Sequence, residues 1–297
     1  MYRIVHISDV HIPPLPRMSP GDLASKRLLG LLSWHRKWKG EHLTEIIAAL
    51  DRKIDEIHPD HLCITGDLTF TGHPQEVEQS VRWLSSLGPV SDISLIPGNH
   101  DAYVPGALEH ACRRWAPWML DDETGEQTFP YLQRRGPVDL IGLSSAVPLR
   151  LPHTTGRLGT EQLEKTRALL QRLEDDGRPR VLMIHHPPQD GAARPGKALQ
   201  DRGTLQEILA EHPVDLVLHG HMHKPLQATL PADTKSIPVL GAGSASTLGQ
   251  RYSPAHFHLL EFDSSKTQRA ISVRHGTYNP ASGAFELGPA QALTSSS

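Results

Sequence analysis

Cysteine is nearly absent: Cys63 and Cys112 are the only two in 297 residues, so a disulfide framework is excluded. Cys63 lies in the apolar run Leu62-Cys63-Ile64 and reads as a small buried hydrophobe. A reducing, cytoplasmic compartment is the expectation. No run of 18 apolar residues occurs, so no membrane span is expected. Neither sign of charge dominates, because 30 Lys and Arg against 33 Asp and Glu leave a net charge of −3. That balance excludes a strongly basic nucleic-acid coat and a strongly acidic disordered chain. The opening residues Met1-Tyr2-Arg3-Ile4-Val5 enter a strand-like run at once, which leaves no room for a signal peptide. Aromatic residues are scarce, at five each of Trp, Tyr and Phe, whereas histidine reaches 19. Histidine is the commonest metal ligand and the acid–base of neutral pH, so its placement decides the reading.

Short apolar runs alternate with segments of helical length, which predicts a layered α/β domain. Strands are expected at Tyr2–Ile7, Leu62–Thr65, Ile93–Ile96, Val138–Leu143, Val181–Ile184 and Val214–Leu218. Helices are expected at Asp22–Trp38, His42–Ile57, Pro74–Leu87, Thr160–Asp175 and Thr204–Glu211. In the second of these, Leu43, Ile46, Ile47, Leu50, Ile54 and Ile57 form an amphipathic stripe. Thr160 reads as the N-cap of its helix. Beyond Pro238, Val239–Leu240, His256–Phe262 and Arg269–Arg274 read as strands without intervening helices. The organisation expected is one domain over 1–290, with 12–39 as a cap or rim and 238–290 as an antiparallel extension. Residues 291–297 read as a frayed tail.

Polar clusters follow the strands at their C-terminal ends. They are Asp9-Val10-His11, Gly66-Asp67, Gly98-Asn99-His100-Asp101, His185-His186-Pro187-Pro188 and His219-Gly220-His221-Met222-His223. Open α/β sheets place ligands beyond these strand ends. Taken singly, the clusters are ordinary: Asp9-x-His11 fits a cap or turn, and Gly66-Asp67 is a turn signal. His221-x-His223 puts two imidazoles on one face of an extended segment. Together they deliver Asp, Asn and His to one sheet edge. Carboxylates and imidazoles with one amide suit first-row divalent ions, not a thiolate zinc site or an all-oxygen calcium site. Two such ions about 3.5–4 Å apart need a carboxylate that bridges them.

These blocks resemble the calcineurin-like metallophosphoesterase superfamily, and the resemblance runs from residue 9 to residue 223 with every block intact. It implies an α/β sandwich of two mixed β-sheets flanked by helices. It also implies two divalent transition-metal ions, manganese, iron or zinc. One would be held by Asp9, His11 and His223, the other by Asn99, His185 and His221, with Asp67 bridging. His186 would stand behind His185. His100 would face the substrate and protonate the leaving oxygen or stabilise charge. Asp101 would either orient His100 or cap the turn. The implied reaction is in-line attack on phosphorus by a hydroxide shared between the metals.

Within the superfamily, the runs Ile184-His185-His186-Pro187-Pro188 and Gly98-Asn99-His100-Asp101 look most like bacterial class III cyclic-nucleotide and glycerophosphodiester phosphodiesterases. Phe70 stands where purple acid phosphatases carry a ligating Tyr, which disfavours that branch. The expected function is hydrolysis of a small phosphodiester, including a cyclic nucleotide. The alternatives are a phosphomonoesterase or nuclease on the same centre, and a non-catalytic scaffold. Length and charge argue against a nucleic-acid substrate, and the oligomeric state stays open. Specificity is expected in the variable segments. Trp34-His35-Arg36-Lys37-Trp38-Lys39 reads either as a substrate rim or as a helix with core tryptophans. Arg150, His153 and Arg157 are candidates for gripping a phosphate oxygen.

Overall fold

The apolar runs pair into two mixed sheets. The computed structural model describes residues 1–148, 153–174, 177–263 and 270–293. Sheet one contains β1 (Tyr2–Ile7), β2 (His61–Ile64), β3 (Ile93–Leu95), β10 (His256–Asp263), β11 (Ala270–Asn279), β12 (Ala284–Leu287) and β13 (Gln291–Leu293). Its order is β12-β11-β10-β1-β2-β3, with β13 beside β11. Strands β1, β2 and β3 are parallel, and β1 meets β10 antiparallel. Sheet two has the order β4-β5-β6-β7-β9-β8. These are Tyr131–Arg135, Val138–Gly142, Arg180–Met183, Leu216–His219, Ser236–Gly241 and Leu226–Pro231. Its four central strands are parallel, and β4 and β8 are antiparallel edges.

Helices α3 (Thr44–Ile57), α4 (Pro74–Leu87), α5 (Ala107–Trp115), α6 (Thr160–Arg172) and α7 (Arg202–Glu211) connect and flank the sheets. The α3 stripe buries Ile46, Ile47, Leu50, Ile54 and Ile57 in a core shared with both sheets. In α4, His73 and Glu76 make reciprocal caps. The parallel central strands, apolar on both faces, account for the continuous Val, Ile and Leu runs.

The structure departs from the sequence reading in several places. Asp22–Trp38 is not one helix. It divides into α1 (Pro20–Leu23), α2 (Arg27–Ser33) and a π-helical turn, Trp34–Trp38. Ser19 and Asp22 cap the first piece, and the Ser25 hydroxyl takes the Asp22 carbonyl that would continue it. The N-cap of α6 is Gly159, not Thr160; the Asp201 carboxylate accepts the N–H groups of Leu158 and Gly159 instead. Val239–Leu240 belongs to β9, parallel to β7, and so lies outside the antiparallel extension. Gln291–Leu293 of the expected tail pair with β11, while 294–297 lie outside the described residues. Asp175 and Arg269, at the ends of expected elements, also lie outside them. Strands β4 and β8 and helix α5 were not anticipated.

Candidate metal centre

The two sheets meet at the C-terminal ends of β1, β2, β3, β6 and β7, and hydrogen bonds tie them there. The Ser244 hydroxyl donates to the Asp9 carbonyl at 2.6 Å, and the Ala245 N–H to the Ser8 carbonyl at 3.0 Å. The loops that follow are strained. Among the described residues, six non-glycine residues have positive φ, and five of them are Asp9, His11, Asp67, His221 and His223. Such backbone costs about 1–3 kcal/mol per residue and persists only where the surroundings enforce it. Two glycines make room for the carboxylates: a Cβ on Gly98 would strike Asp67 Oδ1, and one on Gly220 would strike Ser8 Oγ and Asp9 Oδ2.

Asp9, His11, Asp67 and His223 converge so that one ligand atom from each lies within 4.8 Å of all the others. His223 Nε2 is 3.2 Å from Asp9 Oδ1 and 3.4 Å from His11 Nε2. Two ligand atoms each about 2.0–2.1 Å from one ion are about 3.3 Å apart at a tetrahedral angle, so these separations fit a shared cation. Beside this quartet, His185 Nε2 lies 3.1 Å from Asn99 Oδ1 and 3.3 Å from Asp67 Oδ2. Asp67 Oδ2 is also 3.9 Å from His11 Nε2. His221 packs its ring against His185, with centroids 5.3 Å apart, and its Nε2 meets the Lys197 carbonyl, which leaves Nδ1 as the available nitrogen.

The donor set fits a metal. Asp9 Oδ1 and Asp67 Oδ2 are buried and accept no hydrogen bond. Such orphans are costly unless a cation takes them. The other oxygen of Asp67 accepts the His100 N–H at 2.7 Å, which aims the carboxylate. His11 Nδ1 and His185 Nδ1 meet the carbonyls of Thr69 and Thr65 at 2.8 and 2.7 Å. A carbonyl only accepts, so each Nδ1 carries the proton and each Nε2 offers its lone pair, the usual support of a metal-binding histidine.

Charges in the centre follow from this crowding. Burial pushes the Asp9 carboxyl up, but His223 and then His185 outweigh it and bring it down to about 2. Burial pulls His185 down, but Asp67 outweighs that and raises the imidazole to about 9.

The expected ring-nitrogen bond from Asp101 to His100 is not made. The Asp101 carboxylate accepts the N–H groups of Asp67, Thr69 and Gly98 at 2.9, 3.0 and 2.8 Å, so it fastens two loops of the candidate centre together. Burial, then the Asp67 charge, push it up to about 7. His100 is oriented instead by the Phe70 carbonyl, 2.7 Å from Nδ1, and its partly exposed ring lines the opening. His186 spends both nitrogens, on Ser145 Oγ and the Thr154 carbonyl.

A cavity opens on the centre, lined by Asp67, Asn99, His100, His221 and His223 and also by Trp38, Phe70, Lys197 and Tyr252. Trp38 and Tyr252 stack at 5.1 Å and 7°. In the Trp34–Trp38 segment, Trp34 is buried and Trp38 lines the cavity. Arg157 and His153 line a different groove, and among the described residues Lys197 is the lysine or arginine that lines this cavity; Arg150 lies outside the described residues. Sequence reasoning also missed His42. Its ring stacks on Trp34 and Trp38, and one of its nitrogens lies within 4.8 Å of ligand atoms of His11 and His223. No motif signals it, because contacts with the distant Ser246–Thr247 segment, and not spacing, bring it there.

This architecture is shared with a dimetal phosphatase from Danio rerio, with a TM-score of 0.60, 14% identity and 99% of each chain covered. Residues 2–225 match the family described as calcineurin-like phosphoesterase, and the chain belongs to that family. A protein from a Synechococcus strain, named a probable cyclic nucleotide phosphodiesterase, is 35% identical over 180 residues. That stretch is 60% of this chain and 63% of the relative, so less than two thirds of the relative's length is matched. A Rhodococcus erythropolis protein of the same description is 28% identical over 247 residues, covering 81% of this chain and 70% of its own. Among the described residues, no helix is long and apolar enough to cross a membrane.

Proposed function

We propose that this chain is a dinuclear metal-dependent phosphodiesterase acting on a small phosphodiester of the cyclic-nucleotide class. The observation that carries the reading is Asp67 Oδ2, a buried oxygen without a hydrogen bond that faces His11 on one side and His185 on the other. A carboxylate so placed serves two ions. Asp9, His11, Asp67 and His223 would hold one, and Asp67, Asn99, His185 and His221 the other. When bound, the ions supply charge for the phosphoryl oxygens and lower the pKa of water between them. Manganese, iron and zinc all suit these donors.

The chain's own residues do the rest. His100, with Nδ1 held by the Phe70 carbonyl, presents Nε2 to the leaving oxygen and hands it a proton. Lys197 draws the phosphate charge to the mouth of the cavity. Trp38 and Tyr252 form an aromatic wall on which a planar base packs, worth about 1–3 kcal/mol per base. The names of the two relatives support the same substrate class.

The test is hydrolysis by metal-stripped protein reloaded separately with manganese, iron(II) and zinc. Substrates are 3′,5′-cyclic nucleotides, bis-p-nitrophenyl phosphate and p-nitrophenyl phosphate. Metal-dependent cleavage of both diesters above the monoester is expected. A monoester preference makes the protein a phosphatase, and inertness with two metals bound makes it a scaffold.

A further inference from the structure

A second histidine cluster stands on sheet one, apart from the centre at Asp67. In the ladders, His6 of β1 pairs with His258 of β10, and His258 pairs with His275 of β11. Paired residues share a face of the sheet, and His256, two residues before His258, shares it too. The rings of His256, His258 and His275 lie 4.7 to 5.4 Å apart by centroid. One nitrogen from each falls within 4.8 Å of the others. His256 Nε2 and His275 Nδ1 are 3.3 Å apart, the separation of two nitrogens about 2.0–2.1 Å from one tetrahedral ion.

A buried polar atom without a partner points to a ligand here. His258 Nε2 is buried and makes no hydrogen bond; His256 Nδ1 is likewise unpaired, but it is the nitrogen opposite the one that faces His275. His258 Nδ1 lies 3.0 Å from His6 Nδ1, and His6 Nε2 lies 2.9 Å from the Thr65 hydroxyl. One proton serves the Nδ1 pair. Placed on His258, it leaves Nε2 as a bare lone pair. Placed on His6, it forces a buried N–H onto His258 Nε2 with nothing to accept it, which costs about 1–3 kcal/mol. The first arrangement is favoured, and in it His6 orients His258 as second partners of metal-bound histidines do. Burial, with neighbouring imidazoles at His256 and His258, holds the rings below the ordinary histidine range, so no proton competes for the lone pairs. His275 is partly exposed and gives an ion a way in.

We propose that His256, His258 and His275 form a further metal site, for a single zinc-class divalent ion with its fourth position open to solvent. Three imidazoles without an oxygen donor favour zinc, copper(II) or nickel(II) over manganese, whereas the Asp67 centre is rich in oxygen. The two locations therefore differ in the ion they prefer.

The experiment counts zinc per chain by mass spectrometry after dialysis, in wild type, Asp67→Asn and the double variant His256→Gln/His275→Gln. The double variant should bind one ion fewer than wild type, and Asp67→Asn should keep this ion while losing those of its own centre. Failure of the dinuclear reading thus leaves this result readable. An equal count in wild type and a folded double variant overturns the proposal. If the double variant does not fold, ¹⁵N-histidine NMR of the wild type decides. The ring signal absent from His275→Gln should move to a metal-bound position as zinc is added. A signal unmoved at saturating zinc overturns the site.

Discussion

Replacing Asp67 by Asn removes one charge and leaves the shape. The Asn Oδ1 still accepts the His100 N–H, 2.7 Å away in the wild type, so the loop retains its anchor. What disappears is the anionic oxygen 3.3 Å from His185 Nε2 and 3.9 Å from His11 Nε2. With an effective dielectric constant of about 20, an elementary charge 3.3 Å from that oxygen interacts with it by about 5 kcal/mol. A divalent ion carries twice the charge, and desolvation takes back part of the gain. If half of the single-charge figure survives, about 2.5 kcal/mol is lost per ion, or roughly 70-fold in affinity. The variant should therefore weaken both ions by at least about 50-fold and lose diesterase turnover with them. Isothermal titration with manganese, beside circular dichroism and bis-p-nitrophenyl phosphate turnover, measures all of this. A folded Asp67→Asn protein that binds one ion with wild-type affinity refutes the bridge. One that binds two refutes the assignment of Asp67 altogether.

His100→Ala should keep its metals and lose about 10²–10⁴-fold in turnover, with a smaller deficit for p-nitrophenolate than for an alkoxide leaving group. An equal deficit on both would make His100 a charge stabiliser instead. Trp38→Ala should raise KM for a cyclic nucleotide by about 5–150-fold and leave methyl p-nitrophenyl phosphate nearly unchanged; equal effects on both would remove the base-stacking role. Gly220→Ala should lose metal, because its methyl group displaces Asp9 Oδ2, and a variant with full metal content contradicts that packing. His61, buried in β2 with Nε2 2.8 Å from Ser94 Oγ, is lowered to about 3 by burial and then by Arg135. Its stabilising contribution is therefore complete above the unfolded value of about 6.5 and is lost as pH falls toward 3. Between pH 7 and 4.5 the wild type should lose about 2–3 kcal/mol relative to His61→Gln in urea unfolding, and a constant difference rules this out.

The strand-end clusters were legible because strands and their following loops are local features. An apolar run with Asp, Asn or His at its end needs no knowledge of its neighbours. Positions reported by packing were not legible. Asp101 looked equally like an orienter of His100 and a turn cap, and only the approach of the Asp67 and Gly98 backbones decided for the loops. Trp34 and Trp38 carry identical local signals, yet one is core and the other lines the cavity. Edge strand β8 escaped notice because its partly exposed, uneven pattern lacks the continuous apolar run of a central strand.

By itself, the sequence determined the kind of chemistry: which donors are present, their spacing, and their delivery beyond parallel strands. The tertiary structure decided which of those donors meet. Contacts between loops brought His42 and Tyr252 beside the candidate ligands, and strand register aligned His6, His258 and His275 in one row. The reason is physical. Composition and periodicity encode each segment's own preference, while contacts between segments depend on register and on the joining of two sheets, which no local pattern specifies.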